Sequence, residues 1–160
     1  MAEANRGAPE TLKMQEASFD EGLEKIRVKD PRYTRDAYIF VREALDHTQK
    51  TIVKDAKGRI RHVSGQELLE GIRDLALAQF GPMATTVLEE WGIQKCQDFG
   101  EIVFNMVEND LLAKTDKDSR ADFASGYDFF DAFRKPYLPS HRLNQPKTEA
   151  PQRSENLKLQ

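Results

Sequence analysis

Cys96 is the only thiol in the chain, and a cysteine that a neighbouring histidine can deprotonate is a nucleophile. The histidines, His47, His62 and His141, are widely separated, with neither an HExxH pair nor a second cysteine to complete a zinc set. Cys96 lies among apolar residues in a helical turn, where a free cysteine acts as a small buried hydrophobe. Asp116, Asp118 and Asp122 carry part of the ligand spacing of a calcium loop. Counted from Asp116, however, Arg120 falls at the fifth position and Tyr127 replaces the terminal glutamate, so an EF-hand is rejected. The glycines form neither a P-loop nor a dinucleotide fingerprint. Glu89–Glu90 and the pair Glu108 and Asp110 belong to amphipathic helices, with nothing to set one carboxyl as acid and another as base. These residues give a non-catalytic chain with no cofactor and no metal site.

The elements that position them come next. The chain has 160 residues, is 39% hydrophobic and carries a net charge of -3. A domain of this size buries roughly two-thirds of its unfolded surface, enough for one real core. Residues 1–15 and 139–160 are poor in large apolar side chains and read as disordered tails around a globular part over 16–138. No basic-then-apolar leader opens the sequence, and no apolar run approaches the ~20 residues of a membrane span. The expectation is a cytoplasmic protein without a membrane partner.

Ser18 and Glu21 have capping-box spacing ahead of Phe19, Leu23 and Ile26, which predicts a first helix ending at Asp30–Pro31. Thr34 then caps a second helix whose broad apolar arc, Ala37, Tyr38, Phe40, Val41, Ala44 and Leu45, places it centrally. Thr51–Val53 and Arg59–Val63 are β-prone runs around a turn at Gly58, which predicts a hairpin. Ser64 with Glu67 forms a second capping box, with Val63 and Leu68 as its hydrophobic staple. The helix so started ends at Gly81–Pro82, and a short helix burying Met83, Val87, Leu88 and Trp91 follows to Gly92. Asp98 and Glu101 mark the start of a third helix lined by Phe99, Ile102, Val103, Met106 and Leu111. A polar stretch, Lys114 to Arg120, has the character of a wing tip before a strand near Ala121–Ala124. The fold expectation is therefore mainly α: an N-terminal helical pair plus a winged-helix-like three-helix unit over 63–124, with one or two short β-hairpins.

Several fragments are familiar in combination: Asp30-Pro31-Arg32-Tyr33 with Asp36-Ala37-Tyr38, His62 to Leu69, Trp91-Gly92-Ile93, Asp98 to Asn105, and Gly126 to Phe129. Together they resemble a family of uncharacterised proteins restricted to Verrucomicrobia and Planctomycetes, over about Phe19 to Leu138. The resemblance implies a bacterial cytosolic protein with one continuous domain, and it carries no activity or site residue with it.

Recognition is the function class left. The helix in the reading position of a winged helix has only Asp98, Glu101, Glu108 and Asp110 as charges from Asp98 to Leu112, whereas DNA reading needs Lys or Arg against phosphate. That favours a protein-interaction or regulatory adaptor module, using the acidic helix and the aromatic segment Gly126 to Leu138. Tyr127, Phe130, Phe133 and Tyr137 are its candidate interface residues. The alternative is a non-specific DNA- or RNA-binding protein contacting phosphate through Lys54, Lys57, Arg59 and Arg61 on the expected hairpin.

Overall fold

The computed structural model of the chain describes residues 10–55, 62–112 and 119–139, with side chains of the first stretch described from 17 to 53. The described residues are helical with no strand among them: α1 (Glu10–Lys29), α2 (Arg35–Asp55), α3 (Gly65–Phe80), α4 (Ala84–Glu90), α5 (Cys96–Glu108) and α6 (Ala121–Ala124). A 3-10 turn, Gly81–Met83, links α3 to α4, and the C-terminal part closes with a π-helical turn, Phe130–Arg134, and a 3-10 turn, Lys135–Tyr137. No described helix is long and apolar enough to cross a membrane.

The N-terminal pair forms as the apolar spacing requires. Leu23 and Ile26 of α1 are buried, and Ala37, Tyr38, Val41 and Ala44 make α2 the centre of the core. α1 nevertheless starts at Glu10, so the Ser18–Glu21 pair lies inside the helix, and the expected tail up to residue 15 includes its first turns. The sequence from Glu10 to Ala17 is rich in strong helix formers, which carry the helix upstream of the stripe that anchors it.

The expected first strand is also corrected, since Thr51–Val53 continue α2 to Asp55. Tertiary packing holds these β-branched residues in a helix, and the hydroxyls are satisfied within it: Thr48 and Thr51 donate to the carbonyls of Ala44 and His47, at 2.6 and 3.0 Å. Thr48 and Ile52 are also buried at the crossing with α3, where a Cβ on Gly71 would overlap the Thr48 hydroxyl. The expected turn at Gly58 and most of the second strand expected over Arg59–Val63 lie outside the described residues, and His62 and Val63, which are described, form no strand; most of the expected wing tip also lies outside the described residues. Its strand at Ala121–Ala124 is α6 instead.

α3 begins as read from sequence. Ser64 Oγ accepts the Glu67 N–H at 3.2 Å, Glu67 Oε1 accepts the Ser64 N–H at 3.3 Å, and Val63 and Leu68 are both buried. The helix stops at Phe80, before Gly81–Pro82. Phe40, Phe80 and Trp91 then lock α2, α3 and α4 together, with ring centroids 5.4 to 5.6 Å apart. α5 buries Phe99, Ile102 and Met106 completely, but it starts at Cys96 rather than behind Asp98.

Candidate functional site

Two arrangements gather side chains capable of binding or chemistry. The first is polar and lies where the α1–α2 turn meets the start of α5. Asp98 in the first turn of α5 accepts the backbone N–H groups of Gln94 and Lys95 on Oδ2, at 2.9 and 3.1 Å. Its other oxygen takes the Tyr33 hydroxyl at 2.7 Å. Asp30 accepts Arg32 through Nε and Nη2 at 2.8 and 2.7 Å, a two-point clasp, and Asn105 Nδ2 donates to Asp30 at 3.0 Å and to the Tyr38 hydroxyl at 3.1 Å. Glu101 stands between Arg32 Nη2 at 3.4 Å and Arg120 Nε at 3.9 Å. The fragments 30–38, 91–93 and 98–105, distant in sequence, meet here.

Ionisation in this network is set by its own members. The Arg32 guanidinium holds the Asp30 carboxyl well below the usual carboxylate range, against the opposing pull of partial burial. Burial, followed by the Asp98 carboxylate, raises Tyr33 well above an ordinary phenol. Neither group is poised to exchange a proton near neutrality, and the acids of α5 are engaged: Asp98 by Tyr33 and two amides, Glu101 by two arginines, and Glu108 by Arg120 at 3.5 Å. Asp98 and Glu101, two of the acids of the helix proposed from sequence as a docking face, thus form a latch between elements, while Glu108 and Asp110 stay exposed. Beside it a cleft of about 370 Å³ is lined by Arg32, Lys95, Asp98, Glu101 and Arg120, where Arg32 and Arg120 both approach Glu101.

The latch predicts a pH dependence. A carboxyl whose pKa falls on folding adds stability that is in place above its unfolded value of about 4 and is lost as pH drops from there toward the folded value. Tyr33 has the opposite sign: its contribution is in place below the unfolded value of about 10 and is lost as pH rises through the raised one. Asp30→Asn should lower the melting temperature at neutral pH and flatten its decline below about pH 4 relative to wild type. Parallel acid limbs in scanning calorimetry would show that Asp30 does not carry this dependence.

Cys96 is buried and donates its Sγ–H to the Tyr127 carbonyl at 3.2 Å. Burial pushes its thiol up to about 11, so the thiol stays protonated at neutral pH. His47 and His62 are exposed, and His141 lies outside the described residues. Of the three acids weighed as a calcium loop, Asp122 accepts the Ser119 N–H at 3.1 Å within its own turn, and the other two are outside the described residues. Among the described residues no three His, Cys, Asp or Glu side chains gather as a metal site.

The second arrangement is apolar. The four interface residues read from sequence divide into two pairs. Phe133 is fully buried, and Tyr127 packs edge-on against it at 5.7 Å and donates its hydroxyl to the Leu69 carbonyl at 2.9 Å. Phe129 completes this cluster, 5.1 Å from Phe133. Phe130 and Tyr137 instead stand out, 51% and 45% exposed. They are joined by Leu138 at 43% and by Met83 at 56%, a residue the sequence placed in the core. Met83 ends the short 3-10 turn that opens with Gly81–Pro82, which carries it off the buried stripe that resumes at Ala84. That turn contacts the C-terminal segment, the Tyr137 hydroxyl lying 3.7 Å from where a Gly81 Cβ would be.

Protein-family models, curated proteins and solved structures offer no match to this chain. The geometry alone therefore weighs the two arrangements. An apolar cavity of about 220 Å³ between α2, α3, α5 and α6 has Leu45, Val103 and Phe123 in its wall, with His62 and Leu112 also lining it. Of the basic residues read as a phosphate contact, Lys57, Arg59 and Arg61 lie outside the described residues. Lys54 belongs to the last turn of α2 rather than to a hairpin, and its side chain is not described.

Proposed function

We propose that this chain is a non-catalytic protein-interaction module that docks another protein through Met83, Phe130, Tyr137 and Leu138. One observation carries the reading: these four large apolar side chains are each more than two-fifths exposed on adjoining elements, where burial would normally favour turning them inward. In the same turn as Phe130, Ala132 and Phe133 are buried, so that part of the patch is anchored to packed structure and loses little freedom on binding. Phe130 opens a π-helical turn, a rare geometry that recurs at functional sites. An aromatic centre with polar neighbours matches the anatomy of protein interfaces.

The test is affinity capture from native cytosol with the tagged chain and with Phe130→Asp, each with and without nuclease. A discrete protein set that survives nuclease and is lost with Phe130→Asp is the expected result. A set unchanged by Phe130→Asp would overturn the reading. Loss of all partners on nuclease treatment would favour nucleic-acid binding through the basic residues from Lys54 to Arg61.

A further inference from the structure

The apolar cavity between α2, α3, α5 and α6 shares no lining residue with the polar cleft or with the exposed patch. Protein interiors pack as densely as organic crystals and leave few voids larger than a water molecule. This one measures about 220 Å³, several times the ~30 Å³ that a water occupies in the liquid. Leu45, Leu68, Val103, Phe104, Val107 and Phe123 contribute its apolar wall, which gives water few hydrogen-bond partners inside.

The walls are held apart by contacts elsewhere. A Cβ on Gly65 would stand 2.9 Å from Asp122 Cβ, and one on Gly100 would stand 2.8 Å from Phe123 Cβ, so glycine on both sides draws α6 in against α3 and α5. Phe123 also meets the Phe104 ring edge-on, with centroids 6.5 Å apart. The crossing of α2 and α3 is fixed where a Cβ on Gly71 would overlap Thr48, and the Ser64–Glu67 capping box fixes the start of α3 at the rim. The cavity is thereby preformed, as small-molecule sites usually are.

The lining also decides what class of molecule fits. Among the described residues that line the cavity there is no Lys, Arg, Asp or Glu, so an ionised group placed inside would lose its water without gaining a counter-charge from them. Its polar residues, Gln49, His62 and Ser64, are all exposed and mark the side open to solvent. An apolar cavity of ~150 Å³ holds a benzene ring, and this one is larger by about the volume of a short substituent. We infer that the cavity is a binding site for a small uncharged molecule, a single aromatic ring or a branched aliphatic group, which enters past Gln49, His62 and Ser64.

Titration of the methyl-labelled full chain with toluene and with benzoate, followed by NMR, tests the site. Toluene should shift the methyl signals of Leu45, Val103 and Val107 saturably, with a Kd below about 1 mM. Benzoate presents a similar ring with a charge and should bind about tenfold or more weakly. Val103→Phe places a ring in the cavity and should abolish the toluene shifts at Leu45 and Val107 while the circular dichroism spectrum stays that of the folded chain. The wild-type titrations decide the inference even if that variant does not fold. No saturable shift up to about 5 mM toluene, benzoate binding as tightly as toluene, or toluene shifts that persist in folded Val103→Phe would overturn the site.

Discussion

Phe133→Ala is expected to cost about 3–5 kcal/mol of folding stability, the range for emptying a fully enclosed aromatic site, while Phe130→Ala should cost about 1 kcal/mol or less. The two residues are three apart in one segment and chemically identical, so the contrast isolates burial. Phe133 has no exposed surface and is touched edge-on by Tyr127 at 5.7 Å and by Phe129 at 5.1 Å. Phe129 in turn packs on Phe99 of α5 at 5.7 Å. Removing the Phe133 ring therefore opens a void shared by the C-terminal segment and α5, and a stability of about 5–15 kcal/mol for an ordinary domain leaves little reserve. Urea unfolding of both variants measures the difference. Equal losses would place Phe130 in the core and end its role as an exposed anchor; a small loss at Phe133 would remove the C-terminal segment from the folded domain.

That contrast also marks how far the sequence could be read. The start of α3 was legible because every partner is local: Ser64 and Glu67 cap each other, and Val63 and Leu68 close over the same turn. The stripes of α2 and α5 were legible because their period matches an α-helix. Phe129 and Phe133, four apart, share the buried side as that spacing suggests. What separates Phe130 from them is the π-helical turn, whose altered period cannot be read from residue types, so one aromatic cluster contains both core and surface. Thr51–Val53 have strand-like side chains, and the crossing with α3 at Gly71, where Thr48 and Ile52 are buried, keeps them helical. The polar latch was hidden for another reason. Asp98 had the look of an N-cap, but its decisive partner, Tyr33, belongs to a turn far away in sequence, and Asp98 and Glu101 were read as part of a face when they join elements.

Gly92→Ala is expected to loosen that latch from its far side. Gly92 has φ +87°, a left-handed conformation that costs a residue with a Cβ about 1–3 kcal/mol, and here the Cβ would also overlap the Arg32 carbonyl oxygen. Retreat is blocked on both sides. The Gly92 and Ile93 N–H groups are held to α4 by Glu89 and Leu88, at 3.0 and 2.9 Å, and the Thr34 N–H reaches across to the Trp91 carbonyl at 3.2 Å. The α1–α2 turn must therefore move away, drawing Tyr33 from Asp98 and Arg32 from Glu101. A lower melting temperature should be accompanied by faster hydrogen exchange at the Thr34 amide, a readout that distinguishes this from damage elsewhere. Gly92→Asn separates the two causes, since asparagine tolerates positive φ but still carries the intruding Cβ. Losses equal to those of alanine would assign the effect to the overlap, and substantial recovery would assign it to backbone conformation. A Gly92→Ala chain that melts with wild type and keeps its Thr34 amide protected would mean that the two turns are not docked through Gly92, and that the polar network stands without that contact.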